Sequence, residues 1–188
     1  MNDLRTYPAD PALQPLIQAI GVGVDEDLIG QLVTNSRQAP MLEFTPKDAA
    51  VRFKDTAAFH AWQAKGRTVH WLLAEHDQLA GIIWYGPAAC PQDLGLDFVP
   101  DETFAIRIYE GFNGHGLARP FMLQSLRLYV QQKQAAGQPI NGFWLETDLD
   151  NPAARATYTK FGYQVISHDE ARMMMVLSPS KIAELTQS

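Results

Sequence analysis

The residues best equipped for chemistry lie in one stretch, Ile106-Arg107-Ile108-Tyr109-Glu110-Gly111-Phe112-Asn113-Gly114-His115-Gly116-Leu117-Ala118. An alternating apolar pattern runs into a loop rich in glycine, and a long helical pattern begins directly after it. Glycines let successive backbone N–H groups turn toward one point, and the first turn of a helix adds a partial positive charge. Such a junction can hold a pyrophosphate. The same residues also satisfy a plain tight turn from strand to helix. Two nucleotide readings fail on the residues themselves. A dinucleotide turn needs Gly-x-Gly-x-x-Gly and an acid about 20 residues on, whereas Gly114-x-Gly116 is followed by Arg119, and the next acid after Glu110 is Glu146. A triphosphate loop needs Gly-Lys-Ser/Thr, which does not occur.

A second segment reads Asn151-Pro152-Ala153-Ala154-Arg155-Ala156-Thr157-Tyr158-Thr159-Lys160-Phe161-Gly162-Tyr163. By residue type alone, Asn151 is a helix N-cap, Pro152 a first helical residue and Tyr158 an amphipathic core position. Together the two segments resemble the GNAT acetyltransferase superfamily. Its acyl-CoA loop reads Arg/Gln-x-x-Gly-x-Gly/Ala at a strand-to-helix junction, and here the corresponding run is Asn113-Gly114-His115-Gly116-Leu117-Ala118. The family's later Asn-x-x-Ala-x-x-x-Tyr-x-Lys-x-Gly-Phe segment is matched one strand further on. Asn113 departs from the pattern, standing where the family has Arg or Gln. The resemblance covers about residues 68–177, and residues 1–66 match no motif.

The resemblance implies acetyl-CoA as co-substrate, with no metal, and transfer of acetyl to a primary amine of a small molecule or peptide by direct attack. It places the backbone of Asn113, Gly114, His115, Gly116, Leu117 and Ala118 around the pyrophosphate. Backbone at Ile106, Arg107 and Ile108 would meet the thioester carbonyl, and Asn151 would lie near the pantetheine arm. Tyr158 would protonate the departing thiolate. An ammonium has no lone pair, so the amine must first lose a proton to a carboxylate or a water chain. Glu102 sits 11 residues before Asn113, where some relatives carry a catalytic Glu. It reads equally as a solvated strand-end acid. Glu146 is a second candidate base, or with Asp148 an attractor of cationic substrate. The alternative from another class is a catalytically silent CoA-binding module used for sensing or assembly. Homodimers are frequent in the family.

These residues need a scaffold to position them. Leu13, Leu16, Ile17 and Ile20 share a helical stripe, Asp25 precedes a helix with Leu28, Ile29, Leu32 and Val33 on one face, and Asp55–Lys65 forms a third helix. Thr68–Glu75 and Leu79–Tyr85 pair as a hairpin about His76-Asp77-Gln78. Residues 86–101, punctuated by Gly and Pro, form a long connection able to shape a substrate entrance. A strand over Phe104–Tyr109 precedes the loop, and Gly137 with Pro139 ends the helix after it. Phe143–Thr147 is a strand, Gly162 closes the helix opened by Asn151, and Tyr163–Ile166 and Arg172–Leu177 are the last strands. The order is α-α-α-β-β-β-α-β-α-β-β. It predicts an α+β (α/β sandwich) fold, a mixed, mostly antiparallel sheet flanked by helices. One acyltransferase domain over 1–188 is expected, with 1–66 its helical, substrate-side part and 68–177 its acyl-CoA core.

Composition sets the outer bounds. With 188 residues, 46% hydrophobic and 19% charged, the chain is globular, and at this size folding buries ~70% of the extended chain's surface without a metal or disulfide staple. Net charge is −6, with no cluster of more than two Lys or Arg, which argues against nucleic acid as a partner. No apolar run approaches the ~20 residues of a membrane span, and Met1–Arg5 lacks the start of a secretory signal. The single Cys90 fits a reducing cytoplasm. It has no cationic neighbour to activate it. His70 and His76 lack a third metal ligand, and Trp71 and Trp84 read as hairpin packing.

Overall fold

The computed structural model describes residues 3–91 and 95–187. Eight strands form one mixed sheet in the order β1-β2-β3-β4-β5-β6-β8-β7. The chain divides into two compact units, Met1–Trp84 with Ile106–Met122, and Tyr85–Ala105 with Leu123–Ser188.

In the first unit, β1 (Arg5–Pro8), β2 (Ala19–Val22) and β3 (Thr68–Leu73) pair antiparallel, with Ile20 opposite both Tyr7 and Leu72. The helix expected over the stripe Leu13–Ile20 is therefore a 3-10 turn at Pro11–Leu13 followed by a strand. Pro15 has no N–H to give a helix, and Ala19–Val22 finds a ladder on each side. Leu13, Ile17 and Ile20 are still buried, while Leu16 is exposed. Helix α1 (Glu26–Asn35) starts where Asp25 accepts from the Leu28 N–H at 3.0 Å. It buries Leu28, Ile29 and Leu32.

A short helix, α2 (Ala39–Phe44), and a π-helical turn at Asp48–Arg52 follow, neither read from the sequence. Asp55 caps α3 (Thr56–Gln63), accepting from Ala58 at 2.8 Å. Phe53, Phe59, Trp62, Trp71 and Trp84 meet in one aromatic core. The hairpin joining β3 to β4 (Leu79–Pro87) turns at Glu75–Asp77. Strand β5 (Glu102–Ile108) carries its last residues, Ile106–Ile108, in this unit. A Cβ at Gly81 would stand 2.6 Å from the Arg107 carbonyl, so only glycine lets β4 lie this close to β5.

In the second unit, β6 (Phe143–Asp148), β8 (Arg172–Leu177) and β7 (Gln164–His168) run antiparallel, while Glu102 and Thr103 of β5 pair parallel with Phe143 and Trp144. Tyr85 stacks on Tyr129 at 4.3 Å beside Phe104 and Phe143. Of the connection read over 86–101, residues 92–94 lie outside the described residues. Its ends are held by Ala88, whose N–H reaches the Asp101 carbonyl and whose carbonyl accepts from the Trp144 indole. Helix α4 (Ala118–Ala135) ends before Gly137, and α5 (Pro152–Phe161) runs from the Asn151 cap to Gly162 at φ 120°. A terminal helix, α6 (Pro179–Gln187), was not expected. Among the described residues no helix is long and apolar enough to cross a membrane.

Candidate active site

In the first unit, the loop between β5 and α4 is built as the glycine spacing requires. Gly114 and Gly116 have φ +81° and +73°, a conformation that costs other residues ~1–2 kcal/mol. Nothing lies within 4 Å of a Cβ placed at either position. Backbone shape, rather than crowding, therefore demands glycine there. Asn113, Gly114, His115 and Gly116 are all exposed.

Leu117 is buried, and its carbonyl accepts the first helical bond from the Phe121 N–H at 3.0 Å. It thus occupies the N-cap position of α4 but has no side-chain oxygen, and a ligand oxygen can take the N–H groups that Ser or Asp would otherwise satisfy. Ala118 and Arg119 carry such N–H groups, while Pro120 has none to lose. The loop start is fixed by Gln38, which accepts from the Glu110 N–H at 3.4 Å.

Ile106, Arg107 and Ile108 are half-buried on β5. The Arg107 side chain turns to Asp48, donating from Nε to Oδ2 at 2.7 Å, and also donates to the Ile106 carbonyl at 2.8 Å. Asp48 accepts on its other oxygen from Arg52 at 2.7 Å. Arg107 lies 4.8 Å over the Trp84 ring. Sequence reasoning used Arg107 only for its backbone and missed this cluster.

The second unit holds Glu102, Asn151 and Tyr158. Glu102 is 4% exposed; one carboxylate oxygen lies 2.6 Å from Lys133 Nζ and the other accepts from the Tyr129 hydroxyl at 2.9 Å. Burial, and then the charge of Glu102, push the Tyr129 hydroxyl well above the ordinary tyrosine range. Glu102 is thus not the solvated strand-end acid of one sequence reading. Asn151 caps α5, accepting from Ala154 at 3.0 Å. Tyr158, 8% exposed, meets Phe104 edge-on at 6.1 Å and Tyr163 at 5.7 Å.

Glu146 is exposed, and Arg172 lies 3.7 Å from it and 3.4 Å from Asp148. Arg155 is held to the Leu149 carbonyl at 2.9 Å. Among the described residues no group of three or more His, Cys, Asp or Glu is placed to hold a metal ion.

No family model and no curated protein sequence matches this chain. Solved structures do. The spermidine N-acetyltransferase from Vibrio cholerae, in complex with CoA and spermine, superposes with a TM-score of 0.66 at 12% identity, covering 87% of this chain and 98% of its own. An aminoglycoside acetyltransferase in complex with coenzyme A and kanamycin gives 0.62 at 14%, covering 90% and 99%. An uncharacterised protein from Bacillus halodurans gives 0.66 at 12%, covering 98% and 94%. The fold is that of the GNAT acetyltransferases.

Proposed function

We propose that the chain is an acetyl-CoA-dependent N-acetyltransferase acting on a primary amine of a small molecule or peptide. The observation that carries this is the exposed glycine loop leading into an α4 N-terminus whose cap residue, Leu117, has no oxygen of its own. It supports a pyrophosphate held on the backbone N–H groups of Asn113 to Ala118. The CoA complexes of the two named acetyltransferases support the same cofactor.

When bound, acetyl-CoA supplies the thioester whose C–S bond breaks as the C–N bond to the amine forms. The parallel register of β5 with β6 runs over Glu102↔Phe143 and Thr103↔Trp144. The backbone of Ile106, Arg107 and Ile108 orients the thioester carbonyl, and Asn151 flanks the pantetheine arm. Tyr158 gives its hydroxyl proton to the departing sulfur and recovers one when the acylated nitrogen sheds its extra proton. Water takes the proton that the ammonium must lose. We assign Glu102 to the fold rather than to this step, because a buried carboxylate paired with Lys133 would lose that ion pair by taking up a proton and leave the Lys133 charge uncompensated. The single Cys90 supports a cytoplasmic setting.

Asn113, in place of Arg or Gln, favours a second reading, a CoA-binding module without turnover. Calorimetric titration with acetyl-CoA, with dephospho-CoA and NADH as controls, tests the cofactor, and thiol release with an amine panel tests turnover. Binding of acetyl-CoA with thiol release upholds the enzyme, binding without release upholds the module, and no binding removes both.

A further inference from the structure

Two guanidiniums share one carboxylate in the first unit. Asp48, its side chain 2% exposed, accepts from Arg107 Nε on Oδ2 and from Arg52 Nη1 on Oδ1, both at 2.7 Å. The trio therefore carries one positive charge in surplus, in a chain whose net charge is −6. Arg107 is 14% exposed and Arg52 36%, so much of that surplus is shielded from water, where an unpaired cation is costly.

Trp84 backs both groups, with the Arg107 and Arg52 Cζ atoms 4.8 and 5.8 Å from its ring centroid. A guanidinium offers five N–H donors. Arg107 uses Nε and Nη1, and Arg52 uses Nη1. Nη2 of both, and Nε of Arg52, have no acceptor among the described residues. Two guanidinium forks beside one aromatic ring, with a charge to spare, suit an oxyanion. A polycation would meet like charge there. Arg107 stands between Ile106 and Ile108, so an anion bound to it lies a side chain's length from the backbone assigned to the thioester.

We propose that the Arg52–Asp48–Arg107 cluster receives an oxyanion of the acceptor, so that the amine acetylated by this protein carries a carboxylate or a phosphate. This rests on the N-acetyltransferase reading for its turnover but not for its binding.

The test uses matched amines differing by the anion alone: lysine against cadaverine, and glucosamine 6-phosphate against glucosamine. Each is titrated calorimetrically into the protein without acetyl-CoA, and each is assayed for thiol release with it. At least one anion-bearing member should exceed its partner tenfold or more in affinity and in kcat/KM, and the pair that does so tells carboxylate from phosphate. R52Q should shrink that ratio below threefold, and R52K, which keeps the charge on Asp48 but loses the fork, should give an intermediate ratio. Melting curves establish that each variant is folded, and R52K carries the test if R52Q is not. Equal or better use of the plain amines, an unchanged ratio in a folded variant, or no binding of either anion overturns the proposal. Arg52-dependent binding in a protein that ignores acetyl-CoA would overturn the transferase reading and leave the anion site standing.

Discussion

Lys133 Nζ lies 2.6 Å from Glu102 Oε1, with both side chains largely out of water. The Tyr129 hydroxyl completes the carboxylate from the other side and stacks its ring on Tyr85, whose own hydroxyl donates to Ser125. The residue whose position nominated it as a base is therefore the centre of a buried polar network joining β5 to α4. Removing one partner of such a pair strands a buried charge and costs about 3 kcal/mol. K133M should lower stability by that order in urea unfolding. E102Q should lower it less, because the amide still accepts from Tyr129, and kcat should stay within about threefold of wild type. A hundredfold fall in kcat in a folded E102Q protein would return Glu102 to the role of base.

Tyr158 carries the opposite expectation. If its hydroxyl delivers the proton to sulfur, Y158F should lower kcat by about 100-fold, the lower end of what a positioned acid contributes. The calorimetric Kd for acetyl-CoA should hold, since the ring packing on Phe104 and Tyr163 is kept. Unchanged kcat would leave Tyr158 as a packing residue.

The loop predicts two shifts of opposite sign. G114A meets no neighbour but must hold φ at +81°, so it should lose about 1 kcal/mol of stability and about tenfold in acetyl-CoA affinity as the N–H groups turn away. N113R should tighten acetyl-CoA binding several-fold by adding a charge-assisted bond to phosphate. Dephospho-CoA titrations alongside show whether the gain lies at the pyrophosphate or the 3′-phosphate.

His70 sets a pH dependence. Burial lowers its pKa to about 3 from 6.5, so between those values it is neutral in the folded protein and protonated in the unfolded chain. The folded pKa is the lower one, so stability is full above pH 6.5 and falls as pH drops from there toward 3. At pH 5 the loss is about 2 kcal/mol. Urea unfolding at pH 5 and 7 should show that difference, and H70N should flatten it.

What the sequence made legible follows from how local each signal is. Asp25 and Asn151 are caps whose oxygens reach N–H groups three residues on, and both make that bond. The glycine loop was legible because its backbone shape is written in its own residues. Strands β1 and β2 were not, because Ile20 takes its place from Tyr7 and Leu72 rather than from its neighbours. Ser178-Pro179 is a helix-start signal for α6, and Ser178 accepts from the Lys181 N–H at 3.2 Å. The Asp48 cluster draws on three distant segments, and no local pattern announces it.

The most direct test of the central claim is the calorimetric titration of the protein with acetyl-CoA. One site of micromolar affinity, weaker for dephospho-CoA and absent for NADH, is the predicted result. No heat at millimolar acetyl-CoA, from a folded protein, would contradict it.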